Sequence, residues 1–106
     1  MRKTLLVLTT LPEEKKAREI AEKLVEERLA ACVTVSPAAQ SFYRWKGRVT
    51  RDHEHILFIK TMASVYGRLE ARLKELHPYT VPEIIALPIE RGLEKYLSWL
   101  SEETQS

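Results

Sequence analysis

The strongest constraint on this chain is the order in which its hydrophobic pattern changes period. Residues Thr4 to Thr9 (TLLVLT) form a short apolar run, as expected of a strand covered on both faces. The period then becomes helical. Ala17, Ile20, Ala21, Leu24, Val25 and Leu29 make one apolar stripe, with Glu14, Lys15, Arg18, Glu22 and Glu26 left to solvent. Thr10 and Glu13 stand three apart with Pro12 between them, which predicts a helix start of the capping-box kind. Alternating β-branched residues over Ala31 to Ser36 predict a second strand, interrupted at Pro37. A further extended stretch runs from Gln40 to Val49, with Lys46-Gly47 as the turn of a long hairpin. After the charged segment Arg51 to Glu54, Ile56 to Thr61 reads as another strand. Val65, Tyr66, Leu69, Leu73 and Leu76 mark a second helix. It must end near His77, because Pro78 disfavours helical backbone in the residue before it. Ile84 to Ile89, with Pro82 before it and Pro88 near its end, has the character of an edge strand. Leu93, Tyr96, Leu97 and Leu100 predict a closing helix.

The order β-α-β-β-α-β plus a terminal helix is the split crossover arrangement of an α+β, ferredoxin-like sandwich. Two helices cover one face of a four-stranded sheet, in one domain over 1–106. Only the last helix remains for the other face, and the long hairpin carries Phe42, Tyr43 and Trp45. Together these predict self-association through an aromatic interface. Composition removes several classes. With 44% apolar and 30% charged residues, the chain is neither disordered nor fibrous. Its single cysteine excludes an internal disulfide framework. A net charge of +2, from 17 basic and 15 acidic residues, is too even for a nucleic-acid or membrane-surface binder. The apolar run Leu5 to Leu8 is too short for a bilayer span or a signal sequence, so a soluble intracellular single domain is expected.

Four segments together resemble the CutA family of divalent-cation tolerance proteins. They are EERLAACV (Glu26 to Val33), FYRWKG (Phe42 to Gly47), IKT (Ile59 to Thr61) and ELHPYTVPEIIALPI (Glu75 to Ile89). The likeness runs from about Leu5 to Leu100. It implies a ferredoxin-like subunit, similar to the PII signalling proteins, assembled as a tight homotrimer. It further implies a cytoplasmic protein without catalysis that binds copper or another divalent cation. In some members copper has been placed on a Cys after the first strand and a His pair before the Pro-Tyr step. Those positions are Thr9, Leu76 and His77 here, so only His77 matches.

Each candidate also has a plainer reading. Cys32 is expected to be a small buried hydrophobe, with soft-metal ligation as the alternative. His77 either opposes the dipole at a helix C-terminus or ligates copper or zinc. His53 and His55 share one strand face, but no further Cys or His pair completes a four-ligand site. The hairpin interleaves aromatic and basic residues. Tyr43 and Trp45 nevertheless share one face and Arg44 lies on the other, which separates stacking from charge and argues against nucleic acid. Lys60, Glu83 and Tyr79 become ligand-cleft residues if the PII likeness holds, with Lys60 suited to an anion and Glu83 to a cation. No Gly-rich phosphate loop, His-Glu-x-x-His, Cys-x-x-Cys or Gly-x-Ser-x-Gly motif is present. The expected function is a non-catalytic, homotrimeric divalent-cation tolerance protein. The alternative is a PII-like sensor or scaffold that takes a small ligand between subunits and a separate protein as partner.

Overall fold

Strand β1 (Thr4–Leu11) is hydrogen-bonded on both sides, antiparallel to β3 (Arg48–Met62) and to β4 (Ile85–Ile89). The computed structural model describes residues 3–104, so the first two and last two positions of the domain expected over 1–106 lie outside the described residues. With β2 (Cys32–Trp45) outside β3, the sheet order is β2-β3-β1-β4. Helix α1 (Glu14–Glu26) links β1 to β2, α2 (Tyr66–Leu76) links β3 to β4, and α3 (Glu94–Glu103) closes the chain. This is the expected α+β ferredoxin-like order, and both Pro37 and Pro88 lie in edge strands, as their missing N–H requires.

Alternation along β1 sorts the molecule into two environments. Val7, Thr9 and Leu11 point to one face and are fully buried, as are their neighbours Leu57 and Ile59 on β3. Ala17, Ile20 and Leu24 of α1 and Leu69 and Leu73 of α2 complete this core. The alternate residues of β1 and β4 are left far more open. Leu6 and Leu8 are half-buried, and their partners Leu87 and Ile85 are 45% and 48% exposed. Helix α3 packs against β3 and sinks Leu100 into the core, but leaves Leu93, Tyr96 and Trp99 exposed.

Local departures from expectation have identifiable causes. No side-chain cap begins α1: Glu13 is the N-cap residue, and the Thr10 hydroxyl is turned towards Glu54 instead. Pro37 does not end β2. The strand continues through a bulge between Val35 and Ala38, where two residues, Ser36 and Pro37, stand opposite the single Ile56. Ser36 stabilises that bulge, its Oγ accepting the Ile56 N–H at 2.8 Å and its carbonyl meeting His55 Nδ1 at 3.0 Å. The charged segment 51–54 belongs to β3. Lys46-Gly47 forms the hairpin turn with φ of 50° and 78°, the pair of left-handed residues that a type I′ turn needs. Cys32 is half-buried and lies across from Lys60, away from the helix-covered core.

Among the described residues Thr9 Oγ1 is the one buried side-chain polar atom without a hydrogen-bond partner. Val has nearly the same shape and no hydroxyl to desolvate. Thr9→Val is expected to stabilise the protein by about 1 kcal/mol, read as a higher denaturation midpoint with unchanged slope.

Candidate functional site

The richest polar network lies where α2 ends beside the C-terminal end of β1. Pro78 blocks continuation of α2, and His77 leaves the helix with extended backbone (φ −75°, ψ 135°). Its ring turns back under the chain and is only 7% exposed. The Tyr79 amide donates to His77 Nδ1 at 3.1 Å, and Nε2 sits 2.9 Å from the Thr10 carbonyl. A backbone amide can only donate, and a carbonyl can only accept. His77 is therefore neutral with its proton on Nε2, and it clasps the loop after α2 to the end of β1. Burial pushes its pKa down, against smaller upward effects of the Thr10 carbonyl and the Glu54 charge.

Held in this way, Tyr79 lies against the His77 ring with centroids 5.0 Å apart and donates its hydroxyl to Glu54 Oε2 at 2.7 Å. The Thr10 hydroxyl donates to the same oxygen at 3.3 Å. Burial and then the Glu54 hydrogen bond push the Tyr79 phenol far up, so it remains a donor throughout the physiological range. Glu54 is itself only 8% exposed. In the sequence it is the end of the charged segment Arg51 to Glu54, which masks its burial. Its parity was the available signal, since it shares a strand face with Ile56 and Phe58.

The other candidates are dispersed. Lys60 and Cys32 are cross-strand neighbours, six positions along β3 from Glu54, a span of about 20 Å. Glu83 is exposed in the loop ahead of β4. Phe42 and Trp45 are 64% and 62% exposed on the hairpin, and Tyr43 hydrogen-bonds Asp52. The register puts Tyr43 and Trp45 on one hairpin face and Phe42 on the other. His53 is exposed, while His55 is tied to the bulge.

These positions do not assemble the expected metal ligands. In the tautomer that these contacts require, the His77 lone pair on Nδ1 is occupied by an amide and Nε2 carries the proton. Thr9 faces the core, Leu76 packs against it, and Cys32 is remote. Among the described residues, no three His, Cys, Asp or Glu side chains gather as a metal site.

The fold and this corner define a small α+β, ferredoxin-like domain. A profile described as "CutA1 divalent ion tolerance protein" matches residues 5–103, and the chain belongs to that family. It is 54% identical over 99 residues to the divalent-cation tolerance protein CutA of Thermus thermophilus, covering 93% of this chain and 96% of that one. Human protein CutA is 46% identical over 97 residues, but this chain spans only 54% of its length. Among solved structures, the T. thermophilus protein superposes with a TM-score of 0.94 at 53% identity, covering 96% of this chain and 99% of that one. CutA1 from Oryza sativa gives a TM-score of 0.95 at 41% identity, covering 97% and 94%. Relatives are assigned to different compartments: one from Arabidopsis thaliana is chloroplastic, and one from Archaeoglobus fulgidus is described as periplasmic. No helix among the described residues is long and apolar enough to cross a membrane.

The clasp has a pH consequence. The folded pKa of His77 lies below its unfolded value of about 6.5, so the unfolded chain binds more protons in that region. The clasp's contribution is complete above pH ~6.5 and is lost as pH falls towards the folded pKa. Denaturation midpoints between pH 7 and 5 should fall more steeply for the native protein than for His77→Gln, which cannot titrate. Parallel pH profiles would remove the clasp as their cause.

Proposed function

We propose that this chain serves divalent-cation tolerance as a non-catalytic homotrimer that receives a small ligand in clefts between its copies. The observation that carries the tolerance role is the family match over nearly the whole chain. Self-association is supported by the open sheet face, where Ile85 and Leu87 are about half exposed, and by the aromatic hairpin. The molecule extends 45 Å along one axis against 25 and 23 Å along the others. Such a projection of exposed Phe42 and Trp45 is costly in a monomer and productive in an interface. Lys60 and Tyr79 line the proposed cleft and Glu83 stands at its rim. The proposed location is the cytoplasm, consistent with a single cysteine that can make no internal disulfide.

The His77 geometry favours a ligand-sensing role over that of a tight copper carrier. Copper or another divalent cation is then weakly held, and metal tolerance runs through what the assembly binds.

Two measurements test this reading. Light scattering should give a particle three chains in mass, and Trp45→Ala should shift it towards monomer at micromolar concentration, because buried aromatics dominate interface energies. A native monomer would refute the cleft. Titration with copper or zinc should give no tight site at one metal per chain. A tight site abolished by His77→Ala would overturn the sensing role in favour of direct metal carriage.

A further inference from the structure

We infer that the cleft ligand is a small organic cation, an ammonium or guanidinium with an apolar flank, and that it docks on Glu54. This assignment rests on the cleft reading above and adds the chemistry of what the cleft takes.

The corner holds a carboxylate with no positive partner among the described residues. Glu54 is nine-tenths buried, yet its only side-chain partners among the described residues are two neutral hydroxyls, both on Oε2. No Lys, Arg or His makes an ion pair with it among the described residues; the ion pairs found there join Arg72 to Glu27 and Glu75. Oε1 accepts no hydrogen bond and is not sealed from water, so one carboxylate oxygen remains open. Covering this face with another copy would bury the charge further. A buried carboxylate without a positive partner is costly, and a cation is the complement that offsets this cost.

The donor set then selects the kind of cation. One carboxylate balances one positive charge. A hard divalent ion takes six or more oxygens, commonly including several carboxylates, whereas Glu54 stands alone. Soft or borderline metals require nitrogen or sulfur, but the His77 lone pair is occupied and Cys32 lies about 20 Å along the sheet. The surface beside Glu54 is apolar: Ile56 and Phe58 follow it on the same face of β3, with Leu8 and then Ile85 across the register. A monovalent cation with a hydrocarbon arm satisfies both the charge and the floor. Tyr79 and Thr10 hold Oε2 in place, which leaves Oε1 oriented for a charge-assisted hydrogen bond.

The test titrates the native trimer with n-butylguanidinium, n-butylammonium, neutral n-butanol and zinc chloride by calorimetry and NMR. Saturable binding of the two organic cations is expected, without binding of butanol. Glu54→Gln should weaken that binding about tenfold or more, whereas Lys15→Ala, on the exposed face of α1, should leave it unchanged. In the native protein, saturation with n-butylguanidinium should shift the Glu54 carboxyl carbon and the Tyr79 amide but not the Cys32 amide. This keeps the test decisive should Glu54→Gln fail to assemble. The inference is overturned if butanol binds as well as butylammonium, if a trimeric Glu54→Gln retains full affinity, or if zinc binds more tightly than either cation in a Glu54-dependent way. A native trimer that binds neither cation refutes this assignment alone, whereas a native monomer refutes the cleft reading beneath it.

Discussion

The occupation of both hydrogen-bonding edges of β1 is the constraint on which the rest of the structure depends. Because β3 and β4 are both antiparallel to it, the alternation of its eight residues is imposed on three strands at once. Val7, Thr9 and Leu11 place Leu57 and Ile59 under the helices, while Leu6 and Leu8 place Leu87 and Ile85 on the open side. A slip of one residue would exchange these sets, exposing the core and burying Lys60. The unpartnered Thr9 hydroxyl is a local cost of this register: its position belongs to the core whatever residue occupies it.

A second register device acts at the other end of the sheet. The bulge at Ser36-Pro37 reverses the parity of β2 relative to β3 beyond it. Before the bulge Cys32 and Thr34 share a face with Lys60 and Phe58; after it, Tyr43 and Trp45 share that same face. Without the shift, Phe42 would replace them. The bulge therefore makes one continuous surface of the open sheet face and the indole and phenol of the hairpin. The Ser36 side chain satisfies the Ile56 amide that the interrupted ladder leaves over, and Pro37 is tolerated because it lies in an edge strand.

This division explains what was legible in the sequence. Element order, the Lys46-Gly47 turn and the end of α2 at His77 follow from periodicity and backbone chemistry that act within a few residues. At the site, the departures from expectation concern side chains recruited across the fold. Thr10 has the spacing of a capping residue, but its hydroxyl is drawn to Glu54, 44 positions away. The partner of His77 Nε2 is the Thr10 carbonyl, 67 positions back, and no spacing rule connects the two. A helix-terminal histidine before Pro-Tyr consequently reads as a dipole partner or a metal ligand, whereas its donor and its acceptor are both in use. The apolar neighbours of Cys32 predict a buried thiol, but cross-strand pairing puts it opposite Lys60 on the open face.

The same long-range contacts make the corner a coupled unit. His77 orders the backbone of Tyr79, Tyr79 orients the Glu54 carboxylate, and Thr10 contributes to both ends, its carbonyl to His77 and its hydroxyl to Glu54. Each member thus limits the freedom of the next, and the rigid strands β1 and β3 supply the fixed points. Orienting a carboxylate through neutral donors differs from neutralising it with a lysine or arginine: its position is set while its charge is kept. Structural carboxylates are commonly paired with a cation, as Glu27 is with Arg72 between α1 and α2, where two hydrogen bonds of 2.9 and 2.8 Å close the pair. Glu54 is more buried than Glu27 and lacks that closure, so the chain leaves unpaired the carboxylate that water screens less. This omission marks the place where, on our proposal, an outside charge completes the structure.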